Sequence, residues 1–202
     1  MKTAIELVVE IVAGNAGIDS IPLVVYGEAP NWSDLSSLSD ATEVDCLIKG
    51  LEQDPGERVA IAIERKSFSV ERLLHIIESL PLHRVLGMQS NVTLANGTHA
   101  HIPMMDFKCT PSPRNLERLT GLLGSLQMGK GFVLETGRSY HYYSTQIVDD
   151  LTWRIFLGKC LLMTGNVDER YVGHQLINGF CVLRLSAGRM KKFTPRVVAE
   201  IS

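Results

Sequence analysis

The order of extended and helical segments in the second half of the chain restricts the fold more than any other feature. Residues 99–108 are extended and apolar. Residues 113–126 carry Leu116, Leu119, Leu122, Leu123 and Leu126 at helical spacing behind a first-turn Pro113. Residues 130–136 read as a strand, Gly137-Arg138 as a turn, and residues 139–144 (SYHYYS) as a second strand. Asp149 or Asp150 opens a helix to about residue 163, since a carboxylate there suits the helix dipole. A loop through residues 165–173 and a strand over 180–185 complete the run. The order is β-α-β-β-α-β, the split βαβ pattern of ferredoxin-like and RRM-like sheets. That topology hosts many functions and names none.

The first half reads as α/β. Residues 21–26 form a buried strand, followed by a Ser-, Asp-, Pro- and Gly-rich loop over 27–42. A short helix over 43–53 stops at Asp54-Pro55-Gly56, and residues 58–63 form another buried strand. Residues 70–80 are helical, with Leu73, Leu74, Ile76, Ile77 and Leu80 on one face, Ser69 as cap and Pro81 as stop. Residues 84–88 and 92–94 are short strands. The expected architecture is α+β, an N-terminal α/β subdomain over 1–95 packed with an RRM-like unit over 96–202.

A hydrophobic content of 45% with 21% charged residues in 202 supports a sizeable core and excludes a disordered chain, a collagen or a coiled coil. Apolar runs at 5–13 and 21–26 fall well short of the ~20 residues a membrane span requires. The N-terminal stretch has the look of a leader peptide, but Glu6 and Glu10 interrupt its apolar run. A cytoplasmic protein without membrane attachment is expected. Cys46, Cys109, Cys160 and Cys181 are scattered, which suits neither a disulfide framework nor a zinc site and predicts free thiols. No Walker loop, G-x-S-x-G or H-E-x-x-H is present.

The formal net charge of −2 conceals an asymmetry. Residues 1–100 hold 7 Lys and Arg against 14 Asp and Glu, whereas residues 101–202 hold 13 against 8. Arg184, Arg189, Lys191, Lys192 and Arg196 fall within thirteen residues that contain no acid. Such a segment either holds phosphates or forms a solvated tail.

Three ionisable residues stand out in this half: Asp106 at the end of a strand in MMDFK, His141 in mid-strand among tyrosines in GRSYHYYS, and Asp168 after a helix in GNVDERYVGH. Their order resembles the archaeo-eukaryotic primase superfamily. The family's first motif, hydrophobic-Asp-hydrophobic-Asp, is matched by Met105-Asp106-Phe107-Lys108. Its small-x-His motif is matched by Ser139-Tyr140-His141, and its late hydrophobic-Asp by Val167-Asp168. The run from Leu183-Arg184 through Ser186-Ala187-Gly188 to Lys191-Lys192 is similar to the family's Arg-bearing strand, small-residue turn and lysine. The likeness covers residues 100–196.

The resemblance implies a primase-like protein that binds nucleoside triphosphate and single-stranded nucleic acid, with nucleotidyl transfer for primer synthesis or repair. Asp106, His141 and Asp168 would be catalytic, and Asp106 and Asp168 would hold Mg²⁺ or Mn²⁺. Arg138, Ser139, His141, Arg184, Lys191 and Lys192 would bind phosphates. Lys108 departs from the family by replacing the second carboxylate of the first motif, and it is expected to pair with Asp106 two residues away. Two readings stand beside this one: a catalytically degenerate binding or regulatory module, and an unrelated ferredoxin-like protein. No protein partner is indicated. The alternating tyrosines of 140–143 are expected in the core, and His99-x-His101 is a weaker candidate for a transition metal.

Overall fold

The structure, a computed structural model, describes residues 1–27, 58–127 and 129–202. The expected helix over 43–53, Cys46 and nearly all of the loop over 27–42 lie outside those residues. Helix α1 (Ala4–Gly14) begins with a capping box: Glu6 N–H donates to Thr3 Oγ1 at 3.3 Å, and Thr3 N–H donates to Glu6 Oε2 at 2.7 Å. The stretch that looks like a leader peptide is therefore a packed helix, burying Ile5, Leu7, Val8, Ile11 and Val12.

Strand β1 (Ile18–Gly27) is the axis of the first sheet. Strand β2 (Val59–Glu64) pairs antiparallel along one edge of it, and β3 (Arg84–Gln89) and β4 (Asn91–Leu94) run end to end along the other. Between β2 and β3 lies α2 (Val70–Glu78), whose cap Ser69 accepts from Arg72 N–H at 3.2 Å. Strand β5 (His99–His101) pairs with β4. The expected extended run over 99–108 is broken at Ile102-Pro103, where the chain changes sheets. Ile102 N–H donates to Ser90 of the first sheet, and Pro103 O accepts from Ser144 of the second, each at 2.8 Å.

Strand β6 (Met104–Phe107) leads through α3 (Pro113–Ser125) to the antiparallel pair β7 (Gly131–Glu135) and β8 (Tyr140–Ser144). Helix α4 (Asp150–Leu161) follows, capped by Asp149. The segment expected as a loop through 165–173 instead enters a helix, α5 (Glu169–Asn178), because Asp168 caps it and accepts from Arg170 and Tyr171 N–H.

The last strand of the expected β-α-β-β-α-β unit, β9 (Val182–Arg184), pairs with β3 of the first sheet. Gly87 makes this approach feasible, since a Cβ there would lie 3.0 Å from Val182 Cγ1 and 3.2 Å from Leu183 O. The fourth place in the second sheet is taken by β10 (Arg196–Ile201), read from sequence only as the end of a basic segment. The second sheet has the order β10-β7-β8-β6. One apolar cluster joins both sheets, with Leu7, Leu23 and Leu86 from the first half and Phe107, Tyr142 and Trp153 from the second. Among the described residues no helix is long and apolar enough to cross a membrane.

Candidate functional site

Pairing of β6 with β8 sets Asp106 directly opposite His141. Strand β8 is covered on both faces, so Tyr140, Tyr142 and Tyr143 are core residues, as expected, although alternation sets them on opposite faces. His141 shares that burial at 5% exposure, while the Asp106 side chain keeps 37%. His141 Nε2 lies 3.7 Å from Asp106 Oδ1, too far for a hydrogen bond. The same carboxylate oxygen accepts from Ser139 Oγ at 3.3 Å.

Ser139 is held by the β7–β8 turn. Its N–H donates to Thr136 Oγ1 at 3.2 Å, and its carbonyl accepts from Thr136 N–H at 3.0 Å. Gly137 has φ +92°, which favours glycine, and its open side is filled by Phe193, whose Cβ would stand 3.0 Å from an added Cβ. The turn and the segment after β9 therefore meet face to face.

Arg184 fastens that meeting. Its Nη1 donates to the carbonyls of Ser186 and, at 2.8 Å, Phe193, and its Nη2 reaches the Thr136 carbonyl at 3.5 Å. At 4% exposure this guanidinium is a structural clasp as well as a buried positive charge. Between the two segments lies a cavity of about 390 Å³. Of the residues singled out in the sequence, Asp106, Arg138, Ser139, His141, Arg184, Lys191 and Lys192 all line it. Thr136, Met190 and Phe193, which the sequence motifs do not mark, line it too. Thr136 stands just before Gly137-Arg138 and was readable as part of that turn; the other two carry no local signal.

Asp168 is not among the lining residues. An antiparallel bridge joins Phe107 to Val167, with Lys108 N–H donating to Asn166 O at 2.8 Å. That register sets Asp168 across from Asp106, on the face opposite the buried Phe107 and Val167. One oxygen of Asp168 is occupied by capping α5. Lys108 does not pair with Asp106 as expected; its Nζ lies 3.2 Å from Glu169 Oε2. Residue 108 has left the strand by then, and the first turn of α5 brings Glu169 to it.

The electrostatics follow from burial in a cationic surrounding. Burial raises the Asp106 carboxyl to about 6, against the opposing pull of Lys191, the Ser139 hydrogen bond and Arg184; Asp168 adds to the rise. Burial holds the imidazole of His141 well below its ordinary value, and Arg184 and Lys191 push it further down. His141 is therefore neutral at pH 7, and its buried Nδ1 has no hydrogen-bond partner among the described residues. Among the described residues the cavity presents one carboxylate, one neutral imidazole and four cationic side chains, a composition suited to a polyanion bearing phosphates.

Among the described residues, no third ligand joins His99 and His101 to make a metal site. The ring of His101 stacks on Trp153 with centroids 4.4 Å apart and faces Ser90 and Asp150, while His99 is exposed. Among the described residues no group of three His, Cys, Asp or Glu is placed to hold a metal ion. Asp106 and Asp168 offer two hard oxygen donors, which fits one Mg²⁺ or Mn²⁺ completed by phosphate oxygens and water, and does not fit a two-ion cage. A family model described as AEP-like, archaeo-eukaryotic primase 1D-like, matches residues 64–195. Neither a curated protein nor a solved structure matches the chain.

Proposed function

This chain belongs to the archaeo-eukaryotic primase superfamily, and from that premise we propose that the cavity beside Asp106 binds the phosphates of a nucleoside triphosphate. The observation that carries the reading is the convergence of Arg138, Arg184, Lys191 and Lys192 on a cavity floored by Asp106 and His141. Arg138, Lys191 and Lys192 are all exposed, so the cations of the cavity other than Arg184 can meet the ligand from solvent. Lys191 lines the cavity with Asp106 and its positive charge acts on that carboxylate, which suits a contact to phosphate. Ser139 orients the Asp106 carboxylate, and neutral His141 offers a ring nitrogen to a phosphate oxygen without adding charge. Asp106, assisted by Asp168, would hold a single divalent ion, which when bound neutralises and polarises phosphate oxygens.

A second reading, a binding module of the same fold without nucleotidyl transfer, is favoured by Lys108. The family's second motif-one carboxylate is absent, and the ammonium in its place is turned to Glu169. The two readings share the ligand and differ in turnover. Calorimetry with a nucleoside triphosphate, with and without Mn²⁺, tests the shared part. Lys191→Ala is expected to weaken triphosphate binding by about tenfold, the scale of one lost charge-assisted contact. Asp106→Ala should abolish any gain from Mn²⁺. If neither substitution changes binding, the assignment is wrong. Primer extension by wild type and Lys108→Asp then separates transfer from binding alone.

A further inference from the structure

A second and larger cavity, of about 700 Å³, takes no part in the triphosphate reading. One wall is the end of α2 and the turn after it, with Leu80, Leu82 and His83; the other is the segment after β9, with Ala187, Gly188 and Arg189. The second wall is fixed from both ends. Arg184 ties the Ser186 and Phe193 carbonyls together, and Gly188 N–H donates to Lys191 O at 2.9 Å. On the first wall Leu82 is 89% exposed, so the groove ends in uncovered apolar surface.

We infer that this groove docks a partner protein through an acidic segment anchored by a large apolar side chain. The lining is of two kinds. Ile77, Leu80, Pro81 and Leu82 are apolar and aliphatic, while Arg84, Arg189 and Lys192 are cationic, with no carboxylate among the described lining residues. Cations of one sign around apolar side chains select a ligand with the opposite charge and an apolar body. An acidic peptide has both, and the rest of the lining disfavours a nucleobase. No Phe, Tyr or Trp is among the described lining residues, so a base would have no aromatic platform beyond the exposed ring of His83. The lining hydroxyl of Ser186 is buried and already accepts from Leu86 N–H at 3.0 Å. A base pressed on the aliphatic side chains would therefore leave polar edge groups unpaired, at a cost that a Leu or Phe side chain does not meet. Arg189 and Lys192 are exposed, where flanking carboxylates can meet them from solvent. The volume falls within the ~300–1,000 Å³ range of ligand sites, enough for a short run of side chains.

A random dodecapeptide library displayed on phage, panned on the full chain, supplies the probe. It should enrich sequences that set Asp or Glu beside Leu, Ile, Phe or Trp. The most enriched peptide, synthesised with a fluorophore, is then titrated by anisotropy. Arg189→Glu reverses a charge on one wall, and Leu82→Glu sets an acid among the apolar side chains of the other. Both side chains are exposed, so the fold is not at stake. Each variant should bind the peptide about tenfold more weakly than wild type, the scale of one lost hot-spot contact. Arg118→Glu, at an exposed position of α3 outside the cavity, should bind as wild type does, which separates docking from attraction to overall charge. Enrichment of peptides without the acidic and apolar pair overturns the inference. So does a peptide whose affinity neither cavity variant changes. An oligo(dT) that displaces the peptide and is itself weakened as much by Leu82→Glu gives the cavity to nucleic acid, and overturns it too.

Discussion

Asp106 and His141 sit in one cavity, and burial moves both toward their neutral forms, with opposite consequences for stability. His141 binds its proton less tightly when folded than its ordinary value of 6.5. The unfolded chain therefore takes up the proton first, and His141 costs stability increasingly as pH falls below 6.5. Asp106 binds its proton more tightly when folded, at about 6 against 3.8. Its contribution is fully present below 3.8 and is lost as pH rises through about 6. Thermal melts at pH 5 and pH 7.5 check both signs. His141→Gln should remove the part of the acid-side loss that His141 causes. Asp106→Asn should stabilise the chain at pH 7.5 by about 1 kcal/mol, the penalty left after solvent screens a side chain that is 37% exposed. A destabilised Asp106→Asn at pH 7.5 would show that the carboxylate is needed to balance Arg184 and Lys191. At this scale much of the cavity was legible, because Ser139-Tyr140-His141 and Met105-Asp106 are local patterns. The clasp made by Arg184 was not, since its acceptors are carbonyls at Thr136, Ser186 and Phe193, invisible as residue types.

Helix α5 shows how an element escapes sequence reading and changes the meaning of a residue. Gly165 and Gly173 suggest a loop, yet Gly173 lies inside the helix, and Asp168, a metal-ligand candidate by its motif, is the cap at its start. Both roles can be tested on one residue. Asp168→Ala should cost about 1 kcal/mol through the lost cap, while Asp168→Asn, which still caps, should keep the stability. If Asp168 also holds the ion, Asp168→Asn loses the Mn²⁺-dependent gain in triphosphate affinity at unchanged melting temperature. If that gain survives, Asp168 is a cap alone. Helix α1 is hidden for the opposite reason: its capping box, Thr3 with Glu6, is present in the sequence, but Glu6 and Glu10 read there as interruptions of a leader-like apolar run. Strand β7 carries a packing constraint of its own. A Cβ on Gly131 would lie 2.6 Å from Tyr142 Oη and 2.7 Å from its Cζ, and that ring is fully buried. Gly131→Ala should therefore destabilise the chain by about 1–3 kcal/mol in denaturant titration, the range for overpacking a core.

At the level of the whole molecule, the strand order 96–202 reads as a closed unit, but the pairing crosses its boundary. Which strand a segment joins is set by distant partners, and periodicity carries no information on that. Arg184, Leu183 and Val182 pair with Gly87, Met88 and Gln89, so the strand after α5 draws its ladder from the first half. The chain start reaches the other way: Val197 N–H donates to Lys2 O, and Ala4 N–H donates to Pro195 O, each at 2.8 Å. Ile21, Leu23, Leu73, Leu86 and Met88 are fully buried in the same cluster as Phe107, Tyr142 and Trp153. A fragment of residues 96–202 would thus lose the partner of β9 and expose one side of that cluster. Its Arg184 would also lose the fixed strand from which it clasps the turn over 136–139, so the cavity would not form. The fragment is expected to give a narrow amide spectrum and no cooperative melt, whereas the full chain unfolds in one transition. Adding residues 1–95 in trans should restore dispersion, because the missing edge and apolar face would again be covered. A fragment 96–202 that alone shows dispersed amides, a cooperative melt and triphosphate binding would establish an autonomous unit and reduce the pairing of β9 with β3 to a surface contact.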